Sequence, residues 1–313
     1  MGWLGRDIVS IKDFSKEELI EVLDRAAEIE KNREKFSQTL KGKVMASLFF
    51  EPSTRTRLSF ESAMQYLGGG VIGFSEPSMT SIAKGETFED TMRIIDGYAD
   101  LIVIRHPEIG SAKRAADICK RPVINAGDGA HEHPTQTFGD LYTIQKSLGK
   151  LEGLNIGFVG DLKHGRTVHS LSIALSHFHP TFYFVSHKSL KMPEEYLKEL
   201  ARKKISYHEE EDLLKVSNKL DILYVTRIQK ERFLNPDEYD KVKGIYQIDP
   251  SLLKHAKPEL RTLHPLPRVD EINPQLDKAK QSIYFEQAHN GVPVRMALLS
   301  ILIEDGKTKP KST

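Results

Sequence analysis

Two series of short apolar runs, each alternating with stretches of helical spacing, constrain this chain more than any other feature. The first series predicts a strand from Lys43 to Phe50, a helix to Leu67, a strand from Val71 to Phe74 and a helix around Phe88 to Tyr98. It continues with a strand from Leu101 to Ile104, a helix to Cys119 and a strand from Pro122 to Asn125. After Leu148-Gly149-Lys150 a second series predicts strands Asn155 to Val159, Thr181 to Val185, Asp221 to Val225 and Arg261 to Leu263. Helices Arg166 to Ser176 and Pro193 to Lys203 fall between them. Strands that are apolar throughout are covered on both faces, and their alternation with helices is the mark of a parallel sheet. The expected class is α/β, as two doubly wound domains with parallel sheets, and 313 residues suffice for two cores.

The first strand runs straight into Glu51-Pro52-Ser53-Thr54-Arg55-Thr56-Arg57. Pro52 cannot continue a ladder, Ser53 is a good N-cap, and Leu58, Phe60, Met64 and Leu67 recur at helical spacing. A helix that starts there points unpaired N–H groups and the positive end of its dipole forward, which suits a phosphate. Ser53, Thr54 and the forked guanidinium of Arg55 add side-chain donors, and Thr56 lies within reach of a neighbouring group on the same ligand. The same residues also suit an ordinary capped helix with its arginines in solvent, and one short motif does not separate the two.

Ligands of open parallel sheets lie outside the carboxyl ends of the strands, so Arg105, which follows Leu101 to Ile104, is expected to face the same place as Arg55. His133 and Gln136 open a further helix after the turn Gly127-Asp128-Gly129. As a donor to a polarised carbonyl His133 makes better sense than as a metal ligand, since His131 and His133 lack the partners of a metal site. Arg166 stands at a helix start after one strand, and Arg227 with Gln229 follows another. Two guanidiniums suit a substrate with two carboxylates, although either alone also fits a surface ion pair. Gly157 to Asp161 resembles the opening turn of a dinucleotide fold but lacks the third glycine, so no nicotinamide cofactor is expected. In His264-Pro265-Leu266-Pro267 the prolines remove donors, which leaves the Pro265 and Leu266 carbonyls to accept from an amide or amine, unless the segment is simply a rigid turn.

With 45 basic and 44 acidic residues and a formal net charge of +1, no global field draws the chain onto nucleic acid or an anionic membrane. No apolar run approaches the roughly 18 residues of a membrane span, and Met1 to Arg6 lacks an apolar signal core. The single cysteine, Cys119, cannot form an intrachain disulfide, agrees with a cytoplasmic setting, and reads as a small buried hydrophobe. Ser15-Lys16-Glu17-Glu18 is a capping box ahead of an amphipathic helix, Ser78 to Glu86 reads as an exposed loop, and the last apolar helix is expected from Pro293 to Ile303. Residues 305–313 lack apolar groups and read as a disordered tail.

The segment Ser53 to Arg57 after Phe49-Phe50-Glu51-Pro52 resembles the carbamoyl-phosphate signature of the transcarbamoylases. Arg105-His106-Pro107, His133-Pro134-Thr135-Gln136, Gly160 to Thr167, Arg227-Ile228-Gln229 and His264 to Arg268 follow in the order and approximate spacing of the family's aspartate-specific catalytic chains. The resemblance covers nearly the whole chain and implies transfer of a carbamoyl group from carbamoyl phosphate to the α-amino group of L-aspartate, without a cofactor. It implies a carbamoyl-phosphate domain of residues 1–133 and 288–313, an aspartate domain of 134–287, and an active site in the cleft between them. Ser53, Thr54, Arg55 and Thr56 would hold phosphate, with Ser81 and Lys84 from a neighbouring subunit. Thr56, Arg105 and His133 would donate to the carbonyl oxygen, and Gln136, Pro265 and Leu266 would hold the carbamoyl NH2. Arg166, Thr167, Arg227 and Gln229, with Lys84, would bind aspartate. Glu51 and Glu231 match positions of interdomain ion pairs in the closed form. A homotrimer with shared sites is implied, and His106 to Ala115 resembles chains that assemble with separate regulatory chains. The ornithine-specific branch has a cysteine where Pro265 stands and needs an acidic second site, so both features favour aspartate.

Overall fold

The computed structural model describes residues 2–129, 131–233 and 235–303, apart from the side chains of residues 79, 231 and 236. The tail 305–313 and the side chain of Glu231 thus lie outside the described residues. The chain forms two compact units, Met1–Tyr142 with Asn290–Thr313, and Thr143–His289. The division falls within α5 (Pro134–Leu148) rather than at its start.

The first unit holds strands β1 (Val44–Phe49), β2 (Gly70–Phe74), β3 (Leu101–His106) and β4 (Val123–Asp128) in the order β2-β1-β3-β4, all parallel. Helices α1 (Lys16–Lys31), α2 (Thr54–Tyr66), α3 (Phe88–Asp96) and α4 (Ser111–Ile118) connect and cover them. The capping box at α1 forms: Glu18 N donates to the Ser15 hydroxyl and Ser15 N to the Glu18 carboxylate. The face of α1 that carries Leu19, Val22, Leu23, Ala26 and Ile29 is buried. Ala46, Leu48, Ile102, Ile104, Ala112 and Ala115 belong to one core cluster, which Cys119 joins as a buried residue.

The second unit holds β5 (Asn155–Val159), β6 (Thr181–Val185), β7 (Ser206–Glu210), β8 (Ile222–Val225) and β9 (Arg261–Leu263) in the order β7-β6-β5-β8-β9, again all parallel. Its helices are α6 (Arg166–Leu175), α7 (Glu194–Arg202), α8 (Pro236–Asp240) and α9 (Pro250–Leu253), and α10 (Tyr284–Ile303) begins here and ends in the first unit. Phe158 lies within 5.9 Å, ring centre to ring centre, of Phe182, Phe184 and Tyr224, an aromatic layer across three neighbouring strands. Burying each such ring is worth about 1.5–3 kcal/mol.

Four expectations change. Strand β7 was not anticipated: Ser206-Tyr207-His208-Glu209-Glu210 has no apolar run, because an edge strand needs a partner on one side only and tolerates charge. Strand β4 runs on through Asp128 where a turn was expected, because the ladder resumes at the His106–Asp128 pair after an irregularity. The segment Ser78 to Glu86 is exposed, yet it holds two single 3-10 turns, Pro77–Met79 and Ser81–Lys84, the second capped by the Thr80 hydroxyl. Helix α10 starts at Tyr284 and carries Pro293 inside it, so neither Gly291 nor Pro293 marks its beginning.

Candidate functional site

In each sheet the order of strands reverses once, between β1 and β3 in the first and between β5 and β8 in the second. At such a reversal the connections leave to opposite faces and open a crevice outside the strand ends. The cationic residues singled out from the sequence lie at or after the ends of these four strands.

Strand β1 ends at Phe49, the Phe50 N–H still bonds the Arg105 carbonyl of β3, and α2 starts after the Ser53 N-cap. The Ser53 side chain makes no capping hydrogen bond, and the first turn of α2 has no acidic residue to offset the helix dipole. Arg55 there is exposed, and its pKa is lowered, first by partial burial and then by the positive field of Arg105. Two guanidiniums that repel each other beside a bare helix start are an arrangement that suits an anion. Arg105 lies on β3 itself rather than after it, and its Nε donates to the Glu51 carboxylate at 2.7 Å, which fixes the plane of the guanidinium. Thr56 is buried next to Arg55.

His133 is placed by acidic anchors at the end of β4. The buried Asp128 carboxylate accepts from Gly110 N (2.9 Å), Asn125 Nδ2 (3.0 Å) and Glu132 N (3.2 Å), and lies 3.4 Å from His131 Nδ1. Burial alone would raise the Asp128 pKa, but these donors outweigh it and the net shift is downward. His131 moves the opposite way, raised chiefly by its bond to Asp128. Glu132, also buried, accepts from Ser10 Oγ at 2.7 Å and Ile11 N at 2.8 Å. His133 then follows at the head of α5 with Thr135 Oγ1 3.4 Å from its Nδ1. One turn on, Gln136 Nε2 donates to the buried Asp140 at 2.8 Å. Ser81 and Lys84 lie on an exposed turn and, among the described residues, form no hydrogen bond or ion pair with the group at 53–56.

In the second unit β5 and β8 pair as far as Val159 and Val225, so the segments after them start side by side. Gly160 bends away with φ 115°, and a Cβ there would lie 2.3 Å from the Thr226 carbonyl oxygen, so only glycine fits. The fully buried Asp161 carboxylate accepts from His164 N at 3.0 Å and contacts His164 Nδ1 and Gln229 N. Gln229 Nε2 in turn donates to the His164 carbonyl at 3.2 Å. The two segments are thereby tied together, with Arg166 and Thr167 opening α6 on one side and Arg227 following β8 on the other, all half-buried. Among the described residues no group of three or more His, Cys, Asp or Glu side chains is placed to hold a metal ion.

After β9, Leu266 N donates to His264 Nδ1 at 2.8 Å, so the ring proton sits on Nε2 and is donated to Glu271 at 2.6 Å. His264 N also bonds Gln287 Oε1 at 2.8 Å. Burial would raise the Glu271 pKa, but its bond to His264 and the amide donors bring it down. Leu266 is held at φ 52°, a left-handed conformation costly for a side chain of this kind, and this buried network supports it. The Leu266 N–H is committed and Pro265 has none, so the turn offers carbonyl groups.

The supporting residues Asp128, Asp140, Asp161 and Glu271 were not picked out from the sequence. The signal they carry is an acidic residue within a few positions of a histidine or glutamine motif, a spacing too common to single them out.

Two family models match this chain: the carbamoyl-phosphate-binding domain of the aspartate/ornithine carbamoyltransferases over residues 6–146, and their aspartate/ornithine-binding domain over residues 152–302. The aspartate carbamoyltransferase catalytic subunit of Thermococcus gammatolerans is 54% identical over 305 residues, 97% of this chain and 99% of its own. The structure is similar to that of the catalytic subunit of Methanocaldococcus jannaschii aspartate transcarbamoylase, with TM-score 0.90, 50% identity and coverage of 96% and 99%. It is also similar to Trypanosoma cruzi aspartate transcarbamoylase in complex with carbamoyl phosphate and aspartate, with TM-score 0.91, 37% identity and coverage of 96% and 97%.

Proposed function

The chain belongs to the aspartate/ornithine carbamoyltransferase family, and from that premise we propose how its own residues transfer a carbamoyl group from carbamoyl phosphate to the α-amino group of L-aspartate. The products are N-carbamoyl-L-aspartate and phosphate, the committed step of pyrimidine synthesis. The observation that carries the assignment of residues is the placement of two cationic groups at the two sheet reversals, one built for a phosphate and one for a dicarboxylate.

Carbamoyl phosphate is already activated, so the protein needs no nucleophile of its own. It must orient two anions, stabilise an oxyanion and help phosphate depart. Ser53, Thr54, Arg55 and Thr56 hold the phosphate, with Ser81 and Lys84 of a second copy. Thr56, Arg105 and His133 donate to the carbonyl oxygen, while Gln136 and the Pro265 and Leu266 carbonyls take the NH2 protons. Arg166, Thr167, Arg227 and Gln229, with Lys84, hold the two aspartate carboxylates. The neutral aspartate amine attacks the carbonyl carbon and its electron pair forms the new C–N bond. The carbonyl pair moves to oxygen, then returns as the bond to the phosphate oxygen breaks, and the departing phosphate takes the proton released by nitrogen.

The exposed turn that carries Ser81 and Lys84 supports a trimer whose sites are shared between neighbours. The exposed Glu108 to Gly110 segment within His106 to Ala115 offers a face for separate regulatory chains. In the substrate-bound state Glu51, which here holds Arg105, and Glu231 each form an ion pair with a cation as the domains close, which excludes water. No helix of the described residues is long and apolar enough to cross a membrane, and the setting proposed for the enzyme is the cytoplasm. The test is formation of the ureido product with aspartate and with ornithine as acceptor. Turnover with aspartate alone is the expected result, and turnover with ornithine alone would overturn the assignment of the second site.

A further inference from the structure

The most deeply buried cation among the described residues has no place in the scheme above. Arg295, on α10, is only 4% exposed. Its guanidinium lies over the Phe60 ring at 5.0 Å from the ring centre, and its Nε has no hydrogen-bond partner among the described residues. Room is made for it one turn earlier, since a Cβ on Gly291 would lie 2.1 Å from Arg295 Nη1. A Cβ on Gly139 of α5 would stand 3.9 Å from the Gly291 Cα, so α5 and α10 come close at this point. The next residue along α5 is Asp140, which is fully buried. Burial pushes the Arg295 pKa down to about 10, and the charge that acts against this is that of Asp140.

Burying a cation whose Nε has no hydrogen-bond partner among the described residues is costly. In this interior its field acts on Asp140 through space, where a charge is screened far less than in water. Asp140 in turn accepts the Gln136 Nε2 proton at 2.8 Å, from one turn along the same helix. An amide whose NH2 is pinned by an anion can only present its oxygen to a ligand. If Asp140 lost its charge, the amide would be free to turn over and offer a donor to a donor.

We propose that Arg295 and Asp140 are positioning residues for Gln136: the buried cation keeps Asp140 an anion, and the anion turns the Gln136 oxygen toward the NH2 of carbamoyl phosphate. This rests on the reading that Gln136 accepts from that NH2. It separates two features of the ligand, because acetyl phosphate carries a methyl group in place of the NH2 and is indifferent to the orientation of the amide.

The experiment is direct binding of carbamoyl phosphate and acetyl phosphate to the full chain and its variants. Gln136→Met tests the underlying reading: it weakens carbamoyl phosphate at least tenfold and acetyl phosphate less than twofold. If Gln136→Met binds both ligands normally, the role of Gln136 is wrong. If it loses carbamoyl phosphate while Asp140→Asn does not, the proposal alone is wrong. Asp140→Asn and Arg295→Met are expected to show the same selective tenfold loss, and Gln136→Met combined with Asp140→Asn is expected to add less than twofold. Loss of both ligands in equal measure would mark a merely structural role and overturn the proposal. Should Asp140→Asn fail to fold, the decision passes to Arg295→Lys, which keeps the charge. Recovery of carbamoyl-phosphate affinity to within threefold of the native chain supports the proposal, and a loss equal to that of Arg295→Met overturns it.

Discussion

At the scale of single residues the proposed site rests on donors that their neighbours hold in place. Glu51 holds Arg105, Thr135 flanks His133, and Asp161 ties the segment before Arg166 to the segment that carries Gln229. Removing one preorganised donor to a developing oxyanion typically costs 10²–10³ in kcat, about 2.7–4 kcal/mol. His133→Ala is therefore expected to lower kcat by roughly 10²–10³ while the KM for aspartate changes little, measured by steady-state kinetics. A large change in that KM with kcat intact would move His133 out of the oxyanion role. That Arg55, Arg166 and Arg227 come after apolar strands and that Arg105 lies at the end of one was legible in the sequence. The acidic residues that brace the neighbouring turns were not, because Asp128, Asp161 and Glu271 draw their importance from burial, and burial depends on neighbours distant in sequence.

At the scale of elements the turns after the strands carry both the function and the cost. The His264–Glu271 pair is buried, with side chains 1% and 6% exposed, and supports the left-handed Leu266. Leaving a buried carboxylate without its hydrogen-bond donor costs about 1–3 kcal/mol or more, so His264→Phe is expected to lower the thermal midpoint by several degrees. An unchanged midpoint would show that the turn holds itself. Asp128 and His131 give the segment before His133 a two-sided pH dependence. The Asp128 pKa is lowered, so its contribution to stability is complete above the ordinary carboxylate value of about 3.9 and is lost as pH falls through the lower folded value. The His131 pKa is raised, so its contribution is complete below about 6.5 and is lost as pH rises through the higher folded value. The second effect is small, since the His131 side chain is 46% exposed. Melting curves of His131→Gln against the native chain are expected to differ below pH 6.5 and to converge above it, and a constant difference across that range would contradict the coupling. The sequence pattern located eight of the nine strands among the described residues, most of them as short apolar runs. It missed polar β7, and it missed the start of α10, where Gly291 and Pro293 read as a break. There the glycine makes space for Arg295, a reason no local pattern contains.

At the scale of the whole molecule the same device appears twice: a parallel sheet, a reversal of strand order, and cations placed beyond it. If the turn with Ser81 and Lys84 completes the site of another copy, inactive Arg55→Ala chains mixed with inactive Lys84→Ala chains are expected to regain part of the activity. Confirmed mixed oligomers without activity would confine each site to one chain. In the assignment proposed above, one group of cations holds carbamoyl phosphate and the other holds aspartate. Its most direct test is the initial rate of N-carbamoyl-L-aspartate formation, with each substrate varied in turn, for the native chain, Arg55→Ala and Arg166→Ala. Arg55→Ala is expected to lose turnover and saturation by carbamoyl phosphate, and Arg166→Ala to raise the KM for aspartate by at least tenfold, the penalty of about 1.4 kcal/mol or more expected from one lost charge-assisted bond. Native kinetics in either variant, or the two effects exchanged between them, would contradict it.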